Sequence, residues 1–236
     1  MINQWKDKLA VITGASSGIG AALARKLSAQ GLQVVLVARR RERLESLAEE
    51  ICAAGGSARI LTADLRNEAD RALLCQQAGN ADLLINNAGL GWYGYGDQMS
   101  WKTALEMVQV NVEAVVQLSL VFLAKMRQRN AGHIINIGSI SGSLPSQGIA
   151  LYGATKSFLD NFTTALHREL TGTHVHVSMV RAGPVKTEFT EAALTLENGG
   201  HMPQEKIGLS SEKVADRIWS LICRPRRFCT YPDIYA

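Results

Sequence analysis

Cysteine is scarce in this chain, with four residues among 236. Cys52, Cys75, Cys223 and Cys229 form no C-x-x-C pair and have no histidine nearby at zinc-ligand spacing. They read as reduced thiols of a cytoplasmic protein, half of them in helices. Prolines number only five, and no Pro- or Ser-rich linker, low-complexity tract or internal repeat divides the chain. No uninterrupted apolar run approaches the ~20 residues of a membrane span. The N-terminus, Met-Ile-Asn-Gln-Trp-Lys, lacks a signal-peptide pattern. A strong excess of one charge is missing too. The net charge is +4 with both signs interspersed, which argues for neither nucleic acid nor membrane as a partner. What remains is a chain of near-average apolar content, long enough to bury one sizeable core, and the expectation is a single domain.

Glycine is more informative. Leu9-Ala10-Val11-Ile12-Thr13 is a short apolar run, Gly14-Ala15-Ser16-Ser17-Gly18-Ile19-Gly20 follows it, and a helical pattern over 21–30 ends at Gly31. Strand, glycine turn and helix in that order aim backbone N–H groups and a helix dipole at a phosphate. Gly14 permits the tight turn, Gly18 lets the backbone approach a pyrophosphate, and Gly20 lets the helix lie close to the sheet. The spacing is G-x-x-x-G-x-G, and Gly20-Ala21-Ala22 lacks the lysine a P-loop needs. At this point a purely structural glycine turn stays open.

Residues 34–38 read as a second buried strand, ending Ala38-Arg39-Arg40-Arg41. Dinucleotide folds that select NAD place an acidic residue here for the ribose 2′-hydroxyl. This chain has none. Arg39, and with it Arg40, would instead clamp a 2′-phosphate by charge-assisted hydrogen bonds. The alternative is a solvated basic helix start balanced by Glu42 and Glu45, which suits Arg41 and Arg43.

Strands and helices then alternate: a helix over about 42–53, a strand over 58–62 leading to Asp64-Leu65, a helix over about 68–77, and a strand over 83–85 leading to Asn86-Asn87-Ala88-Gly89. That alternation predicts right-handed βαβ units and a parallel sheet. Asp64, Asn86 and Asn87 stand at carboxyl ends of strands, where open α/β sheets bind ligands. Asn87 serves equally well to tie strand ends together. A long helical pattern over 100–126 carries Asn111 in an apolar stretch; a buried Asn either cross-links the core or disturbs the helix near a site. A strand over 133–137 runs into Ser139, and a strand over 175–180 follows the next helix. His174 and His176 share a face there, but without a third ligand they read as ordinary strand histidines, and no metal is expected. Beyond Gly183-Pro184-Val185-Lys186-Thr187 a polar segment reaches Leu209. It is long for a loop, which suggests an active-site lid over about 186–209. A helix over 211–222 and a strand over 228–231 close the pattern.

The chemistry centres on Leu151-Tyr152-Gly153-Ala154-Thr155-Lys156, which opens a helix running toward Leu170. Four residues apart, Tyr152 and Lys156 stack on one helix face. A phenol with a pKa of ~10 is a poor acid-base group at neutral pH. An ammonium one turn away is expected to favour the phenolate and pull that value down. Alone, Tyr-x-x-x-Lys also describes many solvated helix faces.

These pieces together resemble the short-chain dehydrogenase/reductase family over nearly the whole chain. Thr13-Gly14-x-x-x-Gly18-Ile19-Gly20, Asp64, Asn86-Asn87-Ala88-Gly89, Asn111, Ser139, Tyr152-x-x-x-Lys156 and Gly183-Pro184-x-x-Thr187 stand in the family's order and spacing. The resemblance implies a three-layer, doubly wound parallel α/β sheet, the Rossmann fold, with the cofactor at its carboxyl edge. It implies that Tyr152 exchanges a proton with the substrate oxygen, that Ser139 holds that oxygen, and that Lys156 binds the nicotinamide ribose. Asn111 would anchor a water in the proton relay. Cofactor contacts are expected from Gly14, Ser16, Ser17, Gly18, Ile19 and Gly20, from Arg39 and Arg40, and from Asp64 and Leu65 at the adenine. Asn87, Ala88, Gly89, Tyr152, Lys156 and Gly183 continue the set, with Val185 and Thr187 at the carboxamide. NADP(H) is the favoured cofactor and NAD(H) the alternative.

Three departures stand out. Ser17 occupies the position where NADP-using members often carry a base. Ala182 replaces the proline that usually precedes Gly183, which predicts a less rigid turn. The chain also stops soon after Tyr231, where many members continue into a strand of a tetramer interface. The expected activity is NADP-dependent hydride transfer between the nicotinamide and a carbonyl or secondary alcohol of a small or medium apolar substrate. A non-catalytic dinucleotide-binding regulator, or an epimerase or dehydratase on the same scaffold, are the competing classes. Trp92, Tyr93, Tyr95 and Met202 are candidates for an apolar-aromatic pocket. The apolar surplus of the two longest helices, including Val115, Val116, Leu118, Phe122, Phe158 and Phe162, predicts a homodimer or a homotetramer.

Overall fold

Alternation along each strand builds the architecture. In β1 (Leu9–Thr13), Ala10 and Ile12 enter one apolar core while Val11 enters another. β2 (Gln33–Ala38) repeats this, with Val34 and Leu36 on the first side and Val35 and Val37 on the second. Side chains of successive strand residues point to opposite faces, so each of these strands must be covered twice. The computed structural model, which describes residues 5–195, 199–200 and 208–231, shows how. The first core is closed by α1 (Gly18–Ala29), α2 (Arg41–Ala53) and α8 (Ser211–Cys223). The second is closed by α3 (Glu68–Gln77), α5 (Ala114–Gln128) and α6 (Ala150–Glu169). Fully buried side chains such as Leu118 and Phe122 each contribute about 1.5–3 kcal/mol.

The remaining strands are β3 (Ser57–Thr62), β4 (Leu83–Asn86), β5 (Gly132–Ser139), β6 (Val175–Ala182) and β7 (Phe228–Tyr231). All pair in parallel, in the order β3-β2-β1-β4-β5-β6-β7. The expected doubly wound sheet is present. Strand order reverses between β1 and β4, and that switch point opens the crevice at the carboxyl edge.

Several expectations need correction. The helical pattern over 100–126 is not one α-helix: α4 (Trp101–Val108) and α5 are joined by a π turn, Gln109–Glu113. Asn111 lies inside that turn, fully buried, and its side chain bonds the chain at Leu90 instead of solvent. π bulges of this kind occur mostly at functional sites. By length and composition this helical run, Trp101–Gln128, is apolar enough to cross a membrane, yet half of its most apolar stretch is buried inside the fold. It is a core helix. Three of the four cysteines are helical, not two, because α8 extends through Cys223. Ala182 is the last residue of β6, in register with Ser139 on one side and Tyr231 on the other. A proline there would lack the N–H that a central strand donates.

Candidate active site

The glycine loop forms the first wall. Gly14 has φ +66° and Gly18 φ +54°, backbone that side-chain-bearing residues rarely adopt. A Cβ on Gly18 would stand 2.8 Å from Thr187 Cγ2, so this glycine brings the loop against the segment after β6. A Cβ on Gly20 would overlap the Gly14 carbonyl, which keeps α1 close to the sheet. Side chains cap α3, α4 and α8, through Asn67, Ser100 and Ser210. At α1, Ser17 makes no side-chain cap bond, and the first turn carries no acidic residue. Its N–H groups and positive dipole end are therefore turned toward whatever occupies the crevice. Ser16, Ser17 and Ile19 are partly exposed along this wall.

At the end of β2 it is Arg40, not Arg39, that touches the glycine loop. The Arg40 guanidinium reaches Ser16 Oγ at 2.9 Å, Ser17 Oγ at 2.9 Å and Glu188 Oε2 at 2.8 Å. Arg39 is exposed and makes none of the hydrogen bonds or ion pairs found among the described residues. Arg41 pairs with Glu45 as a solvated helix start would. Arg43 does not; it reaches Glu188 at 2.6 Å. The expected adenine wall is also rearranged. Both Asp64 oxygens accept from Arg66, which holds the Asp64 carboxyl below its usual range and also pairs with Glu106 at 2.9 Å. Leu65 turns its side chain into the core.

The asparagines separate by role. Asn86 is buried and donates to Ser119 and Asn136, so it belongs to a core network and not to the crevice. Asn87 donates to the carbonyls of Thr13 and Gly14 at 2.9 and 3.2 Å, while Thr13 Oγ1 accepts from the Asn87 and Ala88 N–H groups. This ties β1 to β4 at the switch point. Asn111 Oδ1 accepts from Leu90 N at 2.8 Å, and its Nδ2 donates to Leu90 O at 2.9 Å and Thr155 Oγ1 at 3.1 Å. Thr155 in turn donates to the Tyr152 carbonyl. The π turn is thereby fastened to the first turn of α6.

Tyr152 and Lys156 lie one helical turn apart, both buried, with Lys156 Nζ 5.6 Å from the centre of the phenol ring. Ser139, at the end of β5, lies near enough to the phenol to lower its pKa, and its Oγ accepts from Ser141 N at 3.1 Å. A methyl group on Gly89 would stand 3.4 Å from Asn111 Oδ1 and 3.6 Å from Lys156 Nζ, so both polar groups face one point beside the Ala88–Gly89 backbone. The electrostatics differ from the expectation. Burial pushes the Tyr152 phenol above its ordinary value, Ser139 opposes this, and the nearby Tyr93 adds to it. Lys156 donates to the Ile137 carbonyl at 3.0 Å, and burial lowers its ammonium to about 8. Desolvation therefore outweighs the pairing that the helix spacing suggests.

Val185 bridges to Leu209, with Lys186 N donating to Leu209 O and Leu209 N to Pro184 O, so the segment returns to where it left the sheet. It opens with α7 (Glu188–Thr195). Phe189 lies 5.7 Å from the Tyr152 ring and covers Gly91. Gly183 N donates to Tyr231 O. Of the expected pocket residues, Trp92 is buried with Met107, Ile149 and Tyr152, and Tyr93 packs against that cluster. Tyr95 is 64% exposed, and Met202 lies outside the described residues. Glu188 escaped the sequence reading because its partner Arg40 is 148 positions away; Phe189 and Arg66 lie outside the motifs.

Comparison with known proteins agrees with this geometry. A family profile described as short chain dehydrogenase matches residues 8–197. An NADP-dependent 3-hydroxy acid dehydrogenase, YdfG of Shigella flexneri, is 35% identical over 222 residues, covering 89% of this chain and 87% of that one. A short-chain dehydrogenase from Sphingobium yanoikuyae, solved in complex with NADPH, superposes with a TM-score of 0.89 at 29% identity, covering 97% of this chain and 89% of that one. Another from Burkholderia phymatum, solved with NAD, gives a TM-score of 0.87 at 27% identity, covering 97% and 90%. The chain belongs to the short-chain dehydrogenase family.

Proposed function

We propose that this protein is an NADP-dependent oxidoreductase that reduces a carbonyl, or oxidises the matching secondary alcohol, on a small or medium apolar substrate. The observation that carries this reading is the convergence of Tyr152, Ser139, Lys156 and Asn111 beside Gly89. A module that only bound dinucleotide would need no buried phenol held between a hydroxyl and an ammonium. The cradle fits a dinucleotide: an uncapped α1 N-terminus, the Gly18 approach and the Arg40 guanidinium are arranged for anionic phosphates. When bound there, the nicotinamide supplies or accepts the hydride. Lys156 would hold the nicotinamide ribose, and Val185 and Thr187 would hold the carboxamide.

At neutral pH the buried phenol keeps its proton, so Tyr152 acts as the acid that protonates a carbonyl oxygen during reduction. Ser139 holds the same oxygen. Lys156, with a water that the family resemblance implies at Asn111, would return a proton to the phenolate afterwards. Trp92, Tyr93 and Phe189 give the substrate an apolar wall; α7 opens the segment expected as its lid, of which 196–198 and 201–207 lie outside the described residues. Among relatives, YdfG is named for 3-hydroxy acids, which makes such acids the first panel to try.

The same reading includes a homodimer or homotetramer built on α5 and α6. Val115, Leu118 and Phe122 are consumed by the protomer core, but Leu120 is 51% and Phe158 37% exposed, and Phe158 stacks on Phe162. Free cysteines throughout the described residues accord with a cytoplasmic setting. The decisive experiment follows NADPH and NADH oxidation against ketones and 3-oxo acids. Turnover preferring NADPH supports the proposal; cofactor binding without turnover on any compound would leave only a binding protein.

A further inference from the structure

The pair that crosses from α7 to α2 joins the lid to the adenosine end of the crevice. Glu188 lies at the start of α7, directly after Thr187, and its carboxylate is held by two guanidinium groups, Arg40 at 2.8 Å and Arg43 at 2.6 Å. Arg40 simultaneously holds Ser16 and Ser17 of the glycine loop. Two arginines on one anion, one of them braced by two serine hydroxyls, make a phosphate-type site, and here a side chain of the protein is that anion. The two guanidinium groups hold the Glu188 carboxyl below its usual range, so it stays ionised throughout neutral pH.

Resting on the NADP reading above, we infer that Glu188 is a specificity-determining residue: it rivals the cofactor's 2′-phosphate for Arg40 and Arg43. A phosphate monoester carries about −1.5 to −2 charge at pH 7 and presents three acceptor oxygens, against one charge on the carboxylate. The phosphate therefore wins the arginines, but its net gain is reduced by the pair it must break. A cofactor with a plain 2′-hydroxyl has no such contest and leaves Glu188 in place. Glu188 thus narrows the NADP preference that the arginines create. It also links phosphate binding to α7, whose next residue, Phe189, packs on Tyr152.

The test uses fragments that differ only in the 2′-phosphate, so it is independent of turnover. Binding of 2′,5′-ADP and of 5′-AMP is measured by calorimetry on the full chain, for wild type, Glu188→Gln and Arg40→Ala. Glu188 is exposed, with 47% of its side chain accessible, so the fold should survive Glu188→Gln, and a melting curve checks this. Because exposed ion pairs are weak, the expected change is about fivefold tighter 2′,5′-ADP binding in Glu188→Gln, with 5′-AMP binding unchanged. Arg40→Ala should erase most of the preference for 2′,5′-ADP. Unchanged or weaker 2′,5′-ADP binding in Glu188→Gln overturns the inference and leaves the NADP reading intact. An equal shift for both fragments also overturns it, since that is what a purely structural role would give. If wild type binds both fragments equally, the NADP reading itself fails and Glu188 has nothing to rival.

Discussion

Asn111→Ala is the perturbation whose size the geometry defines best. The side chain makes three hydrogen bonds, two to the backbone of Leu90 and one to Thr155, and it is fully buried in the π turn between α4 and α5. Each such bond contributes about 1 kcal/mol net, and truncation leaves the Leu90 N–H and carbonyl without their partner. A loss of roughly 2–4 kcal/mol follows, which for a domain of this size lowers the melting temperature by about 5–12 °C. Urea titration and thermal melting should agree on this loss. Turnover, measured well below the melting onset, should fall by at least ~10-fold. The reason is that Asn111 also fixes Thr155, and through it the first turn of the Tyr152 helix. A stability change under about 1 kcal/mol, with a retained π turn by hydrogen exchange at residues 109–113, would refute the claim that Asn111 holds this bulge.

Three further outcomes are expected. Tyr152→Phe should leave NADPH affinity within a few-fold but cut turnover by at least ~100-fold; substantial residual ketone reduction would remove its role as the acid. Gly18→Ala should impair cofactor binding, because the residue has φ +54° and the new methyl meets Thr187 at 2.8 Å. Gly55→Ala, at φ +84° with open space around it, should carry only backbone strain and leave binding unchanged; equal effects on binding would show that the Thr187 contact is irrelevant. Burial, with smaller contributions from His176 and His167, depresses the pKa of His133 to about 3, from 6.5. The unfolded chain then binds a proton that the folded one refuses between those values, so stability falls as pH drops below 6.5. His133→Asn should remove up to ~1.4 kcal/mol per pH unit from that slope, and an unaltered slope in acid-titrated melts would contradict it.

The local signals were strong wherever one segment suffices to express them. Period-two apolar strands, the Gly14–Gly20 turn and the Tyr152–Lys156 spacing each depend on neighbours within a few residues, so the doubly wound sheet and its carboxyl-edge crevice were legible from the chain. Most element ends moved by a residue or two, α1 began three residues earlier, and the pattern over 100–126 broke at its π turn. Other features depend on what a folded neighbour does. Asn111 stood for a core cross-link or a disturbed helix, and the fold makes it both, bonded to Leu90 and Thr155 within a π turn. Asn87 stood equally for a ligand or a strand tie until the positions of Thr13 and Gly14 directed its amide. Helix spacing alone pointed to a lowered phenol pKa in Tyr152. Burial reversed that direction, because desolvation depends on every element packed around the ring.

The run of arginines after β2 shows the same division. Their charge and position are properties of the sequence, and they make the end of that strand a candidate anion site. Which arginine faces the glycine loop is set by the backbone where β2 passes into α2, and it is Arg40. That a carboxylate already sits on it could be seen only once folding had carried Glu188 across the 148 positions between them. Pairing at that separation leaves no periodicity for a sequence pattern to carry, and only the tertiary structure decides it.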